Sequence, residues 1–503
     1  MKRTLYVKRS HLELVPYSLG ESSTLERRLS LFDYIEHRIT MSLYKYEPND
    51  KTLCIPRGFS VEETLNLLAE DTIVEVDVVD VRNQTPMGRD ISLPIKPGIG
   101  ARDEHQIKSI SFLLNKDSTV QRFLNIDTGY GKTFCTIKAI SVIGKCAMIV
   151  MANSNLMKQW TDSLKDFTSI KSHEIEIISG RDSIQKAINS KEKAKIYICS
   201  TQTLAIMSGE NKLDEFVKKC GISIKVIDEA HEMMSAVALI DNGCDVYNNF
   251  YLTATPERSD TREAILYSRI TKTFERFGGY TSELMQYVHV KNVLINSYPT
   301  PWHKRICNTK KGFSGVIYEK FIFKNDRKKT FFYLICKYVC SKILKEDPSA
   351  KILIVFSLKE SINEIARLFK QNDNINCGIF TTDADKDKKR KELNKNVILS
   401  TLKSSGAGMD IKNLRCIINF VPFKSTVLLH QLMGRLRYME DKALFYFNIV
   451  DEGFENIVRQ NIKRQYFFRS KANDIKNMRL DMNRLLSMLY KNKYKEEEEY
   501  DDE

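Results

Sequence analysis

The stretch LNIDTGYGKT, residues 124 to 133, contains residue types that bind nucleotide phosphates. Glycines at 129 and 131 let backbone amides turn towards phosphate oxygens, and a helix beginning here would add its favourable dipole. Lys132 can reach the β- and γ-phosphates, and the Thr133 hydroxyl can ligate Mg²⁺. Ile126 departs from the usual pattern, which has a glycine there, so a turn without a nucleotide is the alternative. The predicted loop consists of Thr128, Gly129, Tyr130, Gly131, Lys132 and Thr133.

Two adjacent acids follow an apolar run in IKVIDEAH, residues 224 to 231. The carboxyl end of a strand in a parallel sheet faces the ligand crevice, so both carboxylates would point towards a bound nucleotide. Asp228 can hold Mg²⁺ and Glu229 can polarise the attacking water, which are separate tasks in phosphoanhydride hydrolysis. A pair of surface charges is the alternative interpretation.

Three further segments contain hydroxyl, carboxylate or arginine side chains that could act on a nucleotide. YLTATPER carries Thr253 and Thr255 after an apolar run, where a simple Thr-Pro turn is the alternative. LSTLKSSGAGMDI ends in a glycine-rich bend with Asp410, and HQLMGRLRYME supplies Arg435 and Arg437. An arginine from a second domain can stabilise charge on a transferring phosphoryl group, whereas a basic surface helix is the alternative.

Short apolar runs alternate with helical patterns through most of the chain, as in CAMIVMA, AKIYICS, IKVIDEA, KILIVFS and NVILST. This alternation predicts parallel sheets with crossover helices, in two tandem α/β domains. We expect an accessory N-terminal region, a first α/β domain, a linker, a second α/β domain, a basic helical extension and an acidic disordered tail, over residues 1–98, 99–300, 301–325, 326–454, 455–495 and 496–503.

Composition places the chain among soluble globular proteins, with 42% hydrophobic and 28% charged residues. No apolar run approaches the roughly 20 residues of a membrane span, and the basic N-terminus lacks a signal-peptide core. We therefore expect a cytoplasmic protein without a membrane partner. The net charge of +14 fits phosphate backbones or, alternatively, a lysine-rich solvated surface. Eleven scattered cysteines form no C-x-x-C pair, which indicates free thiols in a reducing compartment.

The ordered series G-Y-G-K-T, D-E-A-H, T-A-T-P, S-G-A-G-M-D and Q-x-x-G-R resembles the motifs of superfamily 2 helicases. With LMKQW at residues 156 to 160, the series is most similar to DEAH-type DNA translocases, which include XPB-like and phage UvsW-type helicases. The resemblance covers roughly residues 101 to 450. It implies two RecA-like domains that bind ATP with Mg²⁺.

The resemblance also assigns roles to residues. It implies adenine recognition by Gln106, phosphate and metal binding by Lys132, Thr133 and Asp228, and water activation by Glu229. Coupling of hydrolysis to strand movement would involve His231, Thr253 and Thr255, and nucleic acid would contact Thr201 and Thr401. The remaining nucleotide contacts would be Gly408, Asp410, Gln431 and the arginine finger Arg435. Tyr438 stands where the family usually has a second arginine, and Arg437 precedes it, so the finger assignment stays open between Arg435 and Arg437.

We therefore predict an ATP-dependent DNA helicase or translocase of a phage or virus, which acts on branched replication or recombination intermediates. Replication or recombination proteins are possible partners. An RNA-directed or transcript-release helicase is the first alternative. A nucleic-acid-binding scaffold without activity is the second, and the presence of Lys132, Asp228, Glu229 and Arg435 argues against it.

Overall fold

The computed structural model describes the 503-residue chain except for residues 1, 34–37, 116–120, 127–129, 153, 232–233, 254–260, 279–285, 310–311, 382–390, 403, 405–410, 438, 440–441 and 488–503. The chain divides into two compact units, Met1–Tyr280 and Thr281–Glu503. None of the described helices combines the length and apolar character that crossing a bilayer requires. The acidic stretch at 496–503 lies outside the described residues.

The first unit begins with a five-stranded sheet in the order β5-β6-β2-β1-β7. Its pairings are antiparallel except for β1 with β7, and a separate hairpin joins β3 to β4. The elements are β1 Arg3–Val7, β2 His11–Val15, α1 Ser23–Arg28, β3 Ser30–Asp33, β4 Arg38–Ser42, β5 Lys45–Glu47, β6 Thr52–Pro56, α2 Val61–Glu70 and β7 Val76–Asp80.

A seven-stranded, entirely parallel sheet follows in the order β10-β11-β9-β12-β13-β8-β14. Its central strands are short apolar runs that are buried on both faces, as expected for a parallel sheet covered by helices. The elements are α3 Glu104–Leu114, β8 Arg122–Asn125, α4 Lys132–Ile143, β9 Ala147–Met151, α5 Ser154–Phe167, β10 Ile175–Ile178, α6 Arg181–Asn189, β11 Ile196–Ser200, α7 Thr201–Gly209, α8 Leu213–Cys220, β12 Ile224–Ile227, α9 Met234–Gly243, β13 Asn248–Thr253, α10 Thr261–Ile270 and β14 Glu275–Gly278.

The N-terminal sheet shares one hydrophobic core with a face of the parallel sheet, since Leu5 and Leu12 belong to the same buried cluster as Met148 and Val150. Polar contacts add to this packing, because the Ser10 amide donates a 2.9 Å hydrogen bond to Asp245. The N-terminal sheet is therefore packed onto the parallel sheet as one compact unit.

The second unit contains another seven-stranded parallel sheet, in the order β19-β20-β18-β21-β22-β15-β23. The elements are β15 Val288–Ile295, α11 Pro301–Cys307, β16 Asn308–Thr309, β17 Gly312–Phe313, α12 Gly315–Phe323, α13 Asp326–Glu346, β18 Lys351–Phe356, α14 Lys359–Asp373, β19 Gly378–Phe380, β20 Val397–Thr401, β21 Leu414–Asn419, α15 Thr426–Met433, β22 Leu444–Asp451, α16 Glu455–Lys471 and β23 Ala472–Arg479.

The two parallel sheets with crossover helices confirm the predicted fold of tandem RecA-like domains. Two stretches differ in detail from the sequence interpretation. Strand β15 belongs to the second sheet, although the sequence predicts its residues within the first α/β domain. The sequence predicts a helical extension over residues 455–495, whereas in the structure β23 follows α16 and pairs with β15 as an edge strand. Cross-strand polar contacts fix this pairing, with Asn292 donating to Asn477 over 2.8 Å and His289 next to Asp474.

Candidate active site

Three neighbouring strands of the first parallel sheet bring the predicted catalytic segments to one edge. Strand β13 lies between β12 and β8, so the carboxyl ends of all three strands are adjacent. Backbone hydrogen bonds continue past the strands, from the Ile126 amide to the Thr253 carbonyl at 3.2 Å and from the Ala230 amide to the Leu252 carbonyl at 3.0 Å. The loop after β8, the acids after β12 and Thr253 therefore meet at the ligand edge of the sheet.

Gly131 caps the helix that follows the predicted phosphate loop. Its φ of 92° lies in the left-handed region, and a Cβ atom there would come within 2.4 Å of Gln106 Nε2. The left-handed backbone favours glycine at this position, and a larger residue would also have to displace the Gln106 side chain. Thr133 is the second residue of α4, and the Ile126 side chain is buried in the core. An aliphatic residue is therefore accommodated where the usual loop has glycine.

Gln106 and Tyr130 are packed against each other beside this loop. The Gln106 side chain donates to the Tyr130 carbonyl over 3.0 Å and accepts from the Arg102 amide over 2.8 Å. The Tyr130 ring lies edge-on to His105 with centroids 4.7 Å apart. Adenine recognition by Gln106 remains a prediction. Thr128 and Gly129 lie outside the described residues.

Lys132 extends from the start of α4 towards the acid pair. Its Nζ lies 3.6 Å from Glu229 Oε1, and the Lys132 side chain is only 10% exposed. Within the described part of the chain, this buried ammonium has no hydrogen-bond partner. Because a buried ammonium needs acceptors, an anion such as a phosphate would satisfy it. The unsatisfied Lys132 ammonium and the left-handed backbone of Gly131 are both consistent with binding of a nucleoside triphosphate at this position.

Asp228 is held from two sides. Trp160 Nε1 donates a 2.7 Å hydrogen bond to Oδ2, and the Glu229 amide donates a 3.0 Å bond to Oδ1. Burial and the neighbouring Glu229 carboxylate raise the pKa of Asp228 above its ordinary value, and Lys132 opposes this. Positive charge in the site therefore favours the ionised form of Asp228. The carboxylate of Asp228 and the hydroxyl of Thr133 are oxygen donors of the kind that Mg²⁺ prefers.

Glu229 and His231 connect the acid pair to Thr253. Glu229 has a left-handed φ of 49°, a conformation that is uncommon outside glycine. His231 is buried, and its Nδ1 lies 2.7 Å from Thr253 Oγ1 and 3.4 Å from Glu229 Oε2. The contact between His231 and Thr253 joins the end of β12 to the end of β13. Thr255, the other predicted coupling residue, lies outside the described residues.

The predicted residues of the second unit lie at the end of β20 and around α15. Thr401 Oγ1 donates to Ser404 Oγ over 2.8 Å. Gln431 lies on α15, which ends at Met433, and the chain then turns, so Arg435 is outside the helix. Arg435 is half-buried, whereas Arg437 is exposed. Gly408 and Asp410 lie outside the described residues.

Thr201, predicted to contact nucleic acid, is the first residue of α7 and is buried, with 3% of its surface exposed. A strand contact by its side chain stays a prediction. Trp160, in contrast, received no role from the sequence. Its signal was available, since a buried indole N–H requires an acceptor. The identity of that acceptor, Asp228, depends on the packing of α5 against the parallel sheet.

Family models match most of both parallel-sheet regions. Residues 101–258 match the family "Type III restriction enzyme, res subunit", and residues 335–438 match "Helicase conserved C-terminal domain". The first match spans the loop, the acid pair and Thr253. The second spans Thr401 and Arg435.

Curated relatives come from poxviruses. The transcript termination protein A18 of Yaba monkey tumor virus is 25% identical over 342 residues, which are 64% of this chain and 65% of that protein. The protein of the same name from fowlpox virus is 22% identical over 327 residues, or 62% of this chain and 66% of that protein. The chain thus spans slightly less than two thirds of the length of these two relatives.

Solved structures also resemble the chain. S. cerevisiae Dbp5 bound to RNA and ADP–BeF3 superposes with a TM-score of 0.50 and 13% identity, covering 75% of this chain and 90% of Dbp5. This similarity concerns the fold, and it agrees with the two parallel sheets described above.

Proposed function

Since the chain belongs to superfamily 2 of the ATP-dependent helicases, we propose that it couples ATP hydrolysis to movement along DNA and thereby releases transcripts during viral transcription. The observation that carries the catalytic part is the buried Lys132 ammonium, 3.6 Å from Glu229 and without a hydrogen-bond partner in the described chain. A γ-phosphate would satisfy that donor and place Glu229 near the attacking water.

Each residue at the carboxyl edge of the sheet would have a separate role in ATP hydrolysis. Lys132 would neutralise phosphate charge, and Thr133 with Asp228 would hold Mg²⁺, which stabilises charge that develops on the phosphate oxygens. Trp160 fixes the orientation of the Asp228 carboxylate through its hydrogen bond. Glu229 would orient and deprotonate the attacking water. Gln106, Tyr130 and Gly131 would line the nucleotide, and Thr128 and Gly129 would complete the loop.

Coupling to the strand would pass from the acid pair to β13. His231 contacts both Glu229 and Thr253, so a change at the γ-phosphate can alter the position of Thr253. In the second unit, Arg435, Gln431, Gly408 and Asp410 would sense the nucleotide, and Thr401 would contact the strand.

Two biological settings are compatible with such a motor. The sequence favoured branched replication or recombination intermediates, with transcript release as the alternative. The poxvirus relatives carry the name transcript termination protein, which supports transcript release for this chain. The net charge of +14 suits a nucleic-acid partner in either setting, and we favour DNA as the strand that is followed.

One assay separates these functions. ATP turnover is measured without nucleic acid and with single-stranded DNA, duplex DNA, forked DNA or single-stranded RNA, with Lys132→Ala as the inactive control. In parallel, labelled RNA is followed as it leaves a stalled transcription complex on an immobilised template. We expect DNA to stimulate turnover and ATP to drive release of the RNA.

Other outcomes would replace the proposal. Stimulation by RNA alone would indicate an RNA-directed helicase. Unwinding of forked DNA without release of RNA would indicate branch processing. A wild-type protein that hydrolyses no ATP with any of the nucleic acids would overturn the proposed function.

A further inference from the structure

A short segment after β15 displays two large aromatic side chains to solvent. Tyr298 is 53% exposed and Trp302 is 62% exposed. Lys304 and Arg305 follow on the same helix, α11, and both are exposed. We call three of these residues the aromatic-basic surface: Tyr298, Trp302 and Arg305. Arg305 lies three residues after Trp302, on nearly the same face of the helix, whereas Lys304 lies two residues after it, about 200° around the helix axis. Exposed aromatic side chains near cations are the combination with which proteins bind single-stranded nucleic acid.

The backbone that carries Tyr298 is held in a defined conformation. Tyr298 has a left-handed φ of 51°, which is rare for a bulky residue. Its amide donates to Asn296 Oδ1 over 2.8 Å, and the Ser297 amide donates to the buried Asp451 over 3.1 Å. The same Asp451 oxygen accepts from the Gly453 amide over 3.0 Å. Neighbouring chain segments thus fix the position of the aromatic residue, which is a feature of preorganised sites.

Helix α11 positions Trp302 in a similar way. Thr300 caps the helix by accepting from the His303 amide. The Trp302 ring lies edge-on to His303 with centroids 5.1 Å apart, and His303 in turn packs on Phe321 at 4.3 Å. Lys328 Nζ lies 3.6 Å from the centre of the Phe321 ring, which adds positive charge to the vicinity. One side of the indole is therefore supported by protein, while most of its area remains accessible.

The charge of the segment has one sign. From Asn296 to Tyr318 the sequence contains four Lys or Arg residues and no Asp or Glu. The next acid, Glu319, is buried and accepts hydrogen bonds from the Ser357 and Leu358 amides. Negative charge from this acid is therefore directed into the protein. A partner with phosphates and flat rings matches such a surface, because bases stack on aromatics while phosphates pair with cations.

The position in the sheet is consistent with a strand contact. Strand β15 is parallel to β22, β21, β18 and β20, so the segment leaves the same carboxyl edge where β20 ends at Thr401. We infer that the aromatic-basic surface binds an unpaired stretch of nucleic acid, with a base stacked on Trp302 and a phosphate on Arg305. This inference rests on the proposed function and names a strand-binding site outside its motifs.

Tryptophan fluorescence tests the stacking directly. The chain has two tryptophans, and Trp160→Phe leaves Trp302 as the only one. An oligothymidylate or oligouridylate is titrated into this variant without nucleotide. Stacking of a base on the indole should quench the emission in a saturable manner, with a midpoint equal to the dissociation constant from an independent anisotropy titration.

Matched variants test the contribution to affinity. Trp302→Ala should weaken single-strand binding by roughly 5- to 150-fold, the range found for loss of one stacked base. Trp302→Tyr should recover most of the affinity because it restores a ring. Tyr338→Ala, which removes another aromatic of the second unit that is 61% exposed, is the control and should bind as the wild type does. Circular dichroism checks that each variant is folded.

The cations are tested by salt dependence. Arg305→Ala should make the negative slope of log affinity against log salt less steep by roughly 0.7, the value for one lost phosphate contact on a single strand. Lys304→Ala removes the same charge from the opposite face of α11 and should change this slope less. The inference would be overturned if Trp302→Ala bound with wild-type affinity and the Trp302 emission of the Trp160→Phe variant stayed unquenched, which would leave a protein partner as the occupant. Failure of the proposed function would instead appear as the absence of ATP turnover in the wild type.

Discussion

Trp160 and Asp228 are joined by a 2.7 Å hydrogen bond from the indole N–H to the carboxylate Oδ2. The two residues lie 68 positions apart, on α5 and directly after β12. This bond occupies one carboxylate oxygen and thereby limits the rotation of the group that would hold Mg²⁺. Trp160 would therefore act as a positioning residue for the proposed metal site, in the manner of partners that orient metal ligands.

We predict that Trp160→Phe reduces ATP turnover mainly by weakening Mg²⁺ use. The phenyl ring fills most of the space but cannot donate to Asp228, and a hydrogen bond to a charged group contributes about 1.5–3 kcal/mol. The Mg²⁺ concentration for half-maximal turnover should rise roughly tenfold or more. Met157→Leu, a buried change on the same helix, should leave it unaltered. An unchanged Mg²⁺ dependence in Trp160→Phe would refute the positioning role.

Substitutions of Lys132 and Glu229 should impair different steps of the ATPase reaction. Lys132→Ala removes the ammonium that balances phosphate charge, so both nucleotide binding and turnover should be lost. Glu229→Gln keeps the shape but cannot accept a proton, so ATP should bind while hydrolysis falls by about two to four orders of magnitude. Equilibrium binding of a fluorescent ATP analogue and single-turnover hydrolysis measure the two steps separately. Near-normal hydrolysis in either variant would contradict the active-site assignment.

The two arginines after α15 should differ in importance. In a helix, two residues that are two positions apart point in directions about 200° apart. Helix α15 ends at Met433, before both arginines, so helical geometry does not determine the directions of Arg435 and Arg437. Arg435 is half-buried and Arg437 is exposed. We expect Arg435→Ala to retain ATP binding and lose hydrolysis by about 10³-fold or more. Arg437→Ala should be the milder change, and a more damaging effect of Arg437→Ala on hydrolysis would identify it as the finger.

His11 gives the first unit a pH-dependent stability. Burial lowers the pKa of His11, but hydrogen bonds with Cys54 and Glu13 outweigh this and raise its pKa to about 10. Its Nδ1 also lies 3.0 Å from the Asp241 carbonyl of α9. Since the folded pKa exceeds the ordinary value of 6.5, the contribution of His11 is complete below pH 6.5 and disappears as the pH rises towards 10.

Glu13 has the opposite dependence. Burial raises the pKa of Glu13, but His11 and Lys8 lower it to about 2, so the contribution of Glu13 to stability is complete above pH 4.5 and lost towards pH 2.

The melting temperature of the wild type should fall between pH 7 and 9.5, because His11 loses its proton over this range. His11→Ala should lower stability by about 2 kcal/mol at pH 6, the contribution of a hydrogen bond to a charged group, because Lys8 still pairs with Glu13. Melting curves should show a flatter alkaline dependence in His11→Ala, and equal slopes for both proteins would exclude this role.

The sequence predicts those parts of the molecule that depend on neighbouring residues. Apolar runs of four to six residues identify the central strands, and the end of such a run places Asp228 and Glu229 at the ligand edge. The sequence predicts Gly131 in the phosphate loop, and the structure gives this glycine a left-handed backbone; its contact with a nucleotide stays a prediction.

Other features depend on residues that are distant in the sequence. In the sequence, the residues of β23 read as a continuation of helix α16. They form a strand because they pair with β15, whose residues lie 185 positions away in the chain. The acceptor for Trp160 and the exposure of Trp302 are likewise set by tertiary packing. The sequence gives the type of each residue, whereas tertiary packing decides whether a tryptophan is buried, like Trp160, or exposed, like Trp302.

The burial of the cysteines has a practical consequence. All eleven are free thiols and buried, and burial raises the pKa of most of them, Cys199 and Cys336 included. Thiolates are the reactive form, so the folded chain should react slowly with maleimide dyes. One cysteine introduced at exposed Gln185 and another at exposed Lys370 would then carry a donor and an acceptor fluorophore without removal of native thiols. Energy transfer between the dyes would report whether ATP alters the separation of the two units.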